Sequence, residues 1–340
     1  MNDPNARYRR QQSVTPAGHS IDDRWANTRV LIVGVGGTGA PLASQLVRSG
    51  VGSITLLDPD TVDETNLARQ TLFFSSDAEA GRTKVSAALE ELARIGGRTD
   101  LRGEAIALTP RNAESWVDRV DLVIDATDHL PARLWIDAAC RTVRRGWIHL
   151  AAIEDRYRVI GFLHPDGPCF RCYCPELPPA ETLGTCESRG VLPIATQLAA
   201  SHGAAMVWRA VANPVGADDP APFLDGRVGD LAPRAAALPR DPECPGCSIP
   251  PDAPTSSEEP IRLLCGSPRA EGWRDGSPET LVEQLGPEWQ VEEKKSGFGF
   301  IRASREESTA TLFEDGRVQF GPVGDLAGAE RLWRELFPPQ

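Results

Sequence analysis

Arg29-Val30-Leu31-Ile32-Val33 runs directly into Gly34-Val35-Gly36-Gly37-Thr38-Gly39, and no other feature restricts the fold of this chain as strongly. A short continuous apolar run is how a strand buried on both faces of a parallel sheet reads, and the glycine turn after it opens a helix. Residues 41–49 read as that helix and residues 53–57 as a second strand. Asp58 falls at the carboxyl end of this strand, nineteen residues after Gly39, where a ribose-binding carboxylate belongs in a doubly wound nucleotide fold. The expected fold class is therefore α/β, a doubly wound, Rossmann-like, mostly parallel sheet. A helix at 84–95, a third buried strand at 122–125, strands at 146–151 and 158–163, and a long helix of small residues at 195–211 extend it. The interval 215–240, rich in Pro, Ala, Gly and Asp, reads as a mobile crossover.

A glycine loop by itself is common. Here it is followed in order by Asp58-Pro59-Asp60, Asn66-Leu67-Ala68-Arg69-Gln70, Gly81-Arg82-Thr83-Lys84 and Asp125-Ala126-Thr127-Asp128. A ribose-reaching carboxylate, two phosphate-reaching cations and a metal-reaching carboxylate describe a site for ATP. Amides of Gly36, Gly37 and the helix start after Gly39 can approach a phosphate because glycine has no side chain, and the helix dipole favours the anion. Arg69 and Lys84 would neutralise phosphates, and Asp128 would hold Mg2+, which takes one or two carboxylates plus phosphate oxygens. A dehydrogenase has no use for those last three. Singly, Arg69 and Lys84 also read as solvated surface charges; the ordered set argues for ligands.

Composition bounds the setting. With 340 residues, 41% hydrophobic and 25% charged, the chain can bury a full α/β core and a second small unit. No apolar stretch is long enough for a membrane helix and the start lacks a signal-peptide core, so a cytoplasmic protein without a membrane partner is expected. The net charge of -12 argues against nucleic acid as a partner. Eight cysteines in such a chain point to metal or catalysis rather than disulfides. Four form the knuckles Cys169-Phe170-Arg171-Cys172 and Cys244-Pro245-Gly246-Cys247, which suit a structural tetrahedral Zn2+. A redox dithiol, or two unrelated turns, is the alternative. Cys140 on a helix and Cys265 on a strand read as buried small hydrophobes, and Cys174 has no assignment.

Together with Arg7-Tyr8-Arg9-Arg10-Gln11, Val62 and the paired knuckles, these motifs resemble the E1-like adenylating enzymes of the ThiF, MoeB and HesA type, over about residues 7–248. The resemblance implies adenylation of the C-terminal glycine carboxylate of a small ubiquitin-like sulfur carrier ending in Gly-Gly, with release of pyrophosphate. It implies a homodimer in which Arg10 enters the other subunit's nucleotide site. Carried over by position, Gly37 contacts phosphate, Asp58 the ribose, Asn66, Arg69 and Lys84 the phosphates, and Asp128 the magnesium; Gly34, Gly36, Gly39, Asp60 and Gln70 belong to the same cofactor-binding set. Cys186, in Gly184-Thr185-Cys186-Glu187-Ser188-Arg189-Gly190-Val191, matches a Thr-Cys-x-x-x-Gly-Val motif that some members use for a covalent step. A thiolate near Arg189 would be more nucleophilic, and a loop cysteine without chemistry is the other reading.

Two positions depart from the pattern: His129 follows the metal aspartate where asparagine is usual, and Asp137 replaces another asparagine, while Arg133 is present. His129 reads as a ligand-shell substitute or as a helix-start residue. The carboxylate nucleophile is already an anion, so no general base is required, which matches only five histidines and no histidine-serine-aspartate pattern. The adenylation domain is expected at 1–248, a linker at 249–260 and a small α+β domain at 261–340, with strands at 261–265, 290–294, 299–303, 309–313 and 317–320, helices near 279–285 and 325–336, and an Asp315-Gly316 hairpin turn. That last domain lacks a rhodanese cysteine loop and a Gly-Gly end; docking of a carrier or a second enzyme is its expected role, and a domain that only stabilises the dimer is the alternative. Besides carrier activation, two function classes stay open: the same chemistry on a peptide or protein-conjugation partner, and a nucleotide-binding scaffold or NAD-dependent oxidoreductase.

Overall fold

Val30 and Ile32 pack into one core and Leu31 and Val33 into a second on the opposite face, none of the four more than 4% exposed. This two-sided burial sets β1 (Arg29–Val33) inside a sheet covered on both faces. In the computed structural model the described residues are 6–14, 18–177, 189–230, 232–248, 261–263, 269–274, 276–295, 300–313 and 316–338. They belong to two compact units, Met1–Thr255 and Ser256–Gln340.

In the first unit the strands are β1, β2 (Ser53–Leu57), β3 (Asp100–Glu104), β4 (Leu122–Asp125), β5 (Gly146–Ile153), β6 (Arg156–Phe162), β7 (Ala221–Arg227) and β8 (Arg234–Leu238). They form one sheet of order β3-β2-β1-β4-β5-β6-β7-β8. From β3 to β5 neighbours are parallel, and from β5 to β8 they are antiparallel. The helices are α1 (Arg9–Gln12), α2 (Gly18–Asn27), α3 (Gly39–Ser49), α4 (Ser75–Glu79), α5 (Lys84–Ile95), α6 (Ala113–Val117), α7 (Leu130–Thr142), α8 (Phe170–Tyr173), α9 (Pro193–Ala212) and α10 (Pro245–Ser248). One core joins Trp25, Leu42, Leu46, Leu92, Met206 and Val207 to the sheet; the other joins Val117, Ile136, Trp147, Phe162 and Phe170. Small residues let α9 lie flat, with Ala195, Ala199 and Ala200 fully buried.

The 215–240 interval corrects the sequence reading, since it holds β7 and β8 rather than a crossover. These strands form the margin of the sheet, where β8 exposes Arg234 to Ala237, so one-sided burial never produces an apolar run. Strand β3 was hidden for the same reason, being polar and at the other margin.

The N-terminal segment is tied to the amino-terminal edge of the strands. The Arg98 guanidinium forks onto both Asp22 oxygens at 2.7 and 3.0 Å and donates to the Gly50 carbonyl. The Gln11 amide donates to Asp22 and to the Ser49 carbonyl, at the last residue of α3.

The second unit is a six-stranded antiparallel sheet of order β11-β12-β13-β14-β10-β9, from β9 (Ile261–Leu263), β10 (Ala270–Trp273), β11 (Gln290–Lys295), β12 (Phe300–Arg305), β13 (Ser308–Phe313) and β14 (Arg317–Gly321). Helices α11 (Pro278–Val282) and α12 (Leu326–Leu336) supply Leu281, Leu332 and Leu336 to its core. Asp325 caps α12 by accepting the Gly328 N–H, the usual role of an N-terminal aspartate. Strands β13 and β14 pair as the expected hairpin. Cys265 lies outside the described residues. Among those residues no helix is long and apolar enough to cross a membrane.

Candidate active site

The carboxyl ends of β1, β2 and β4 meet at one edge, and the loops leaving them carry the nucleotide motifs. The β1–α3 turn is tight: Gly34 has φ +91, and a Cβ on Gly39 would fall 2.0 Å from the Gly34 carbonyl oxygen. The Gly36 carbonyl accepts the N–H of Ala40 as α3 begins. Beside this turn Gly37 faces the start of α9, where a Cβ would sit 3.1 Å from Thr196 Cγ2 and 3.5 Å from Arg69 Cγ. This glycine cradle brings the backbone close to the Thr196 and Arg69 side chains, and a glycine turn that opens a helix is the kind of place that can receive a phosphate.

Asp58 closes the loop from the β2 side. Its Oδ2 accepts the Val35 N–H at 2.7 Å and its Oδ1 the Asp60 N–H at 2.9 Å. Each carboxylate oxygen keeps further acceptor capacity, which suits a ribose hydroxyl. Lys84 reaches in from the first turn of α5, its Nζ 2.8 Å from Asp60 Oδ2 and 3.9 Å from Asp58 Oδ1. Its backbone N–H donates to the Asp60 carbonyl, so loop and helix are fastened twice. Burial works against the Lys84 charge, but Asp58, Asp60 and Asp128 outweigh it and raise its pKa. Burial likewise raises the Asp58 carboxyl against the pull of Lys84. Lys84 is 7% exposed, which removes the solvated-surface reading for this residue.

Arg69 donates to Asn66 Oδ1 at 2.6 Å and to the Thr65 carbonyl at 3.1 Å, beside the Gly37 cradle. Gln70 is 4% exposed with no hydrogen-bond partner for its Oε1. A buried acceptor beside a glycine loop can be completed by a water or by a bound group. Asp128 is exposed on the loop after β4. Gly34, Gly36, Gly37, Gly39, Asp58, Asp60, Asn66, Arg69, Gln70, Lys84 and Asp128 thus lie on loops and helix starts around one edge. Arg10 does not. It is exposed on α1, which is fastened to the end of α3 at the opposite edge, about 17 Å away by the length of a five-residue strand. Cys186 lies outside the described residues.

His129 stands at the N-cap of α7 without a side-chain capping bond, its ring edge-on to Trp135 at 6.1 Å. Asp137 faces away from the nucleotide edge, accepting the Trp147 indole N–H at 3.2 Å and the Phe170 N–H at 3.1 Å. Burial pushes its carboxyl up to about 6. Reasoning from sequence missed one buried contact, His149 Nδ1 to Asp125 Oδ2 at 2.7 Å; its only signal was a lone histidine inside an apolar strand.

The four knuckle thiols converge at the antiparallel side. Sulfur separations are 3.9 Å for Cys169–Cys172, 3.6 Å for Cys169–Cys244, and 3.5 Å from Cys247 to both Cys172 and Cys169. A tetrahedral Zn2+ with bonds of about 2.3 Å has sulfur edges of roughly 3.8 Å, so these residues fit the ion. Arg141 of α7 ties the second knuckle down by donating to the Gly246 and Cys247 carbonyls.

A doubly wound sheet with a glycine cradle at its carboxyl edge, a buried carboxylate and lysine beside it, and a four-thiol cluster places the chain among Rossmann-like α/β proteins. The ThiF family model matches residues 8–245, and the chain belongs to the ThiF family. It is 33% identical over 286 residues to the adenylyltransferase and sulfurtransferase MOCS3 of Sus scrofa, covering 84% of this chain and 60% of that one. The Bos taurus protein of the same name is 38% identical over 190 residues, 56% of this chain and 41% of that one. The chain thus spans about three-fifths or less of the length of these relatives. Among solved structures, E. coli MccB with MccA-N7isoASN matches with a TM-score of 0.62 at 22% identity, over 73% of this chain and 76% of that one. PaaA matches with 0.57 at 20%, over 71% and 75%. These two share the fold.

Proposed function

We propose that this chain is an ATP-dependent, cytosolic adenylating enzyme that activates the C-terminal carboxylate of a small ubiquitin-like carrier ending in Gly-Gly. The observation that carries this reading is the buried Lys84, held between Asp58 and Asp60 beside the Gly37 cradle. A nicotinamide site has no need of that cation at that place, whereas a triphosphate does. Family membership and the adenylyltransferase name of the relatives support the same reaction class.

A carrier carboxylate oxygen attacks the α-phosphorus, the bond to the bridging oxygen of the β-phosphate breaks, and pyrophosphate leaves with the electron pair. Two anions meet in this step, so the work of the protein is positioning and charge neutralisation. The Gly36 and Gly37 amides cradle phosphate, Asp58 orients the ribose, and Arg69 and Lys84 balance the charge. Magnesium held by Asp128 would supply further neutralisation of the phosphates. Zinc held by Cys169, Cys172, Cys244 and Cys247 would be structural, since all four positions are filled by protein. In this reading the enzyme is a homodimer and Arg10 acts on the other subunit's nucleotide, because its own site lies across the sheet. A covalent step through Cys186 is a further part of the proposal.

ATP–pyrophosphate exchange with the zinc-loaded protein tests it, against a panel of small proteins and peptides with different C-termini. Exchange that depends on a Gly-Gly end is expected. Exchange with peptides alone would transfer the chemistry to a peptide substrate, and no exchange without any ATP binding would leave a scaffold.

A further inference from the structure

Asp128 stands exposed on a short loop after β4, and the loop is held from beneath. Asp125 Oδ1 accepts the Thr127 N–H at 3.0 Å and the Thr127 hydroxyl at 2.7 Å. This aspartate turn fixes the backbone one residue before Asp128. It persists only if the Asp125 carboxylate does not rotate, and the other oxygen, Oδ2, receives the Nδ1–H of His149 at 2.7 Å. Asp125 is fully buried and His149 is 3% exposed. Trp147 and Phe170 box the imidazole edge-on, with ring centroids at 6.4 and 6.1 Å. Arg133 closes the arrangement, its Nη2 donating to the Thr127 carbonyl at 3.1 Å and its Nε lying 3.5 Å from Asp125 Oδ2.

Charge states agree with this direction of donation. Burial lowers the His149 pKa and the bond to Asp125 offsets this only in part, so the ring is neutral at pH 7. Burial opposes the Asp125 charge, but the His149 bond, Arg133 and Thr127 outweigh it and hold the carboxyl below its ordinary value.

We propose that His149 is a positioning residue for Asp128: through Asp125 it sets the Thr127-Asp128 turn, without itself touching nucleotide or metal. The proposal rests on the reading of Asp128 as the magnesium-bearing carboxylate. Groups that orient a metal ligand from behind change metal affinity by roughly 10–100-fold when removed.

The test is ATP binding to the full zinc-loaded chain by calorimetry, with Mg2+ and in its absence. His149→Asn puts an amide nitrogen on Cγ where the imidazole has Nδ1, so the donor survives. His149→Leu fills the box and loses the donor. In His149→Leu the affinity gained from Mg2+ should fall about tenfold, while metal-free ATP affinity stays within about twofold; His149→Asn should keep most of the gain. A folded His149→Leu with the wild-type Mg2+ response overturns the proposal, and so does an equal loss in both variants. If His149→Leu does not fold, Thr127→Val removes the next link in the chain, and an unchanged Mg2+ response there also overturns it. Wild-type protein that binds no ATP in either condition would bring down the nucleotide reading and this role with it. Wild-type protein that responds to Mg2+ alongside variants that respond equally removes His149 alone.

Discussion

In the parallel half of the main sheet, β1 buries Val30 to Val33 on both faces and ends at a cluster of charges. In the antiparallel half, β8 exposes Arg234 to Ala237 and is followed by a cluster of thiols. The first half encloses enough apolar surface to hold the costly buried Lys84–Asp58 pair at its carboxyl edge. The second has a one-sided margin, and beyond it four thiols converge, joining residues about seventy-five apart in sequence. The two halves thus differ in what holds them: packing alone in one, and in the other packing beside a thiol cluster that would suit a zinc ion.

Metal removal should separate the halves most sharply. Structural zinc is worth on the order of 10 kcal/mol in small peptides, so chelation, or Cys244→Ser, should lower the melting temperature by many degrees. Hydrogen exchange should rise first in β7 and β8 and last in β1 and β4. Equal loss of protection in both halves would erase the distinction. Asp128→Ala should do the reverse, since its side chain is exposed. Exchange should fall by roughly a thousandfold, about 4 kcal/mol of transition-state stabilisation, with melting unchanged. Near-wild-type exchange would remove Asp128 from the site.

Lys84→Met acts on both stability and chemistry. It strands the buried Asp58 carboxylate, and breaking a buried pair from one side costs about 3 kcal/mol. Asp58→Asn in the same chain should return part of that stability without returning exchange, as read by denaturant unfolding. A Lys84→Met variant as stable as wild type would show that the pair is not what fastens α5 to the loop.

The smallest effect concerns the opposite edge. Burial pushes the Asp22 carboxyl up, but Arg98, Gln12 and Gln11 outweigh this and hold it below its ordinary value. A carboxyl with a depressed pKa contributes stability above its unfolded value, near ~4, and loses it as pH falls through the folded value. Asp22→Asn should therefore cost about 1 kcal/mol at pH 7, and its melting difference from wild type should shrink toward pH 3. A difference constant with pH would mean that packing, not charge, binds the N-terminal segment.

The same contrast governs what can be read from residues alone. Strands β1, β2 and β4 were legible to the residue: two-sided burial makes β1 and β4 short apolar runs, and β2, with Ser53 and Thr55 half-buried, was placed by its spacing after the glycine turn and helix. Strands β7 and β8 were not, because half-exposed strands tolerate Pro222, Gly226 and Ala235 to Ala237. That Asp58, Arg69, Lys84 and Asp128 would collect at one edge of the sheet was legible through their order along the chain. The Asp125–His149 contact was not, since it joins neighbouring strands β4 and β5 across 24 residues and its histidine sits in an apolar segment. Nor does a sequence state at which edge its first residues pack, and so the separation of Arg10 from its own cradle came only with the fold.

In the proposed homodimer, that separation would make the activity a property of pairs rather than of chains. If each Arg10 serves its neighbour, Arg10→Ala and Asp128→Ala proteins are both silent alone. Mixed and allowed to exchange subunits, they form hybrids in which one site receives a sound arginine from one parent and a sound aspartate from the other. Random pairing then restores about a quarter of normal turnover from two dead preparations, and the length of the strands, which holds each arginine at the far edge from its own cradle, is what makes such rescue arithmetic possible.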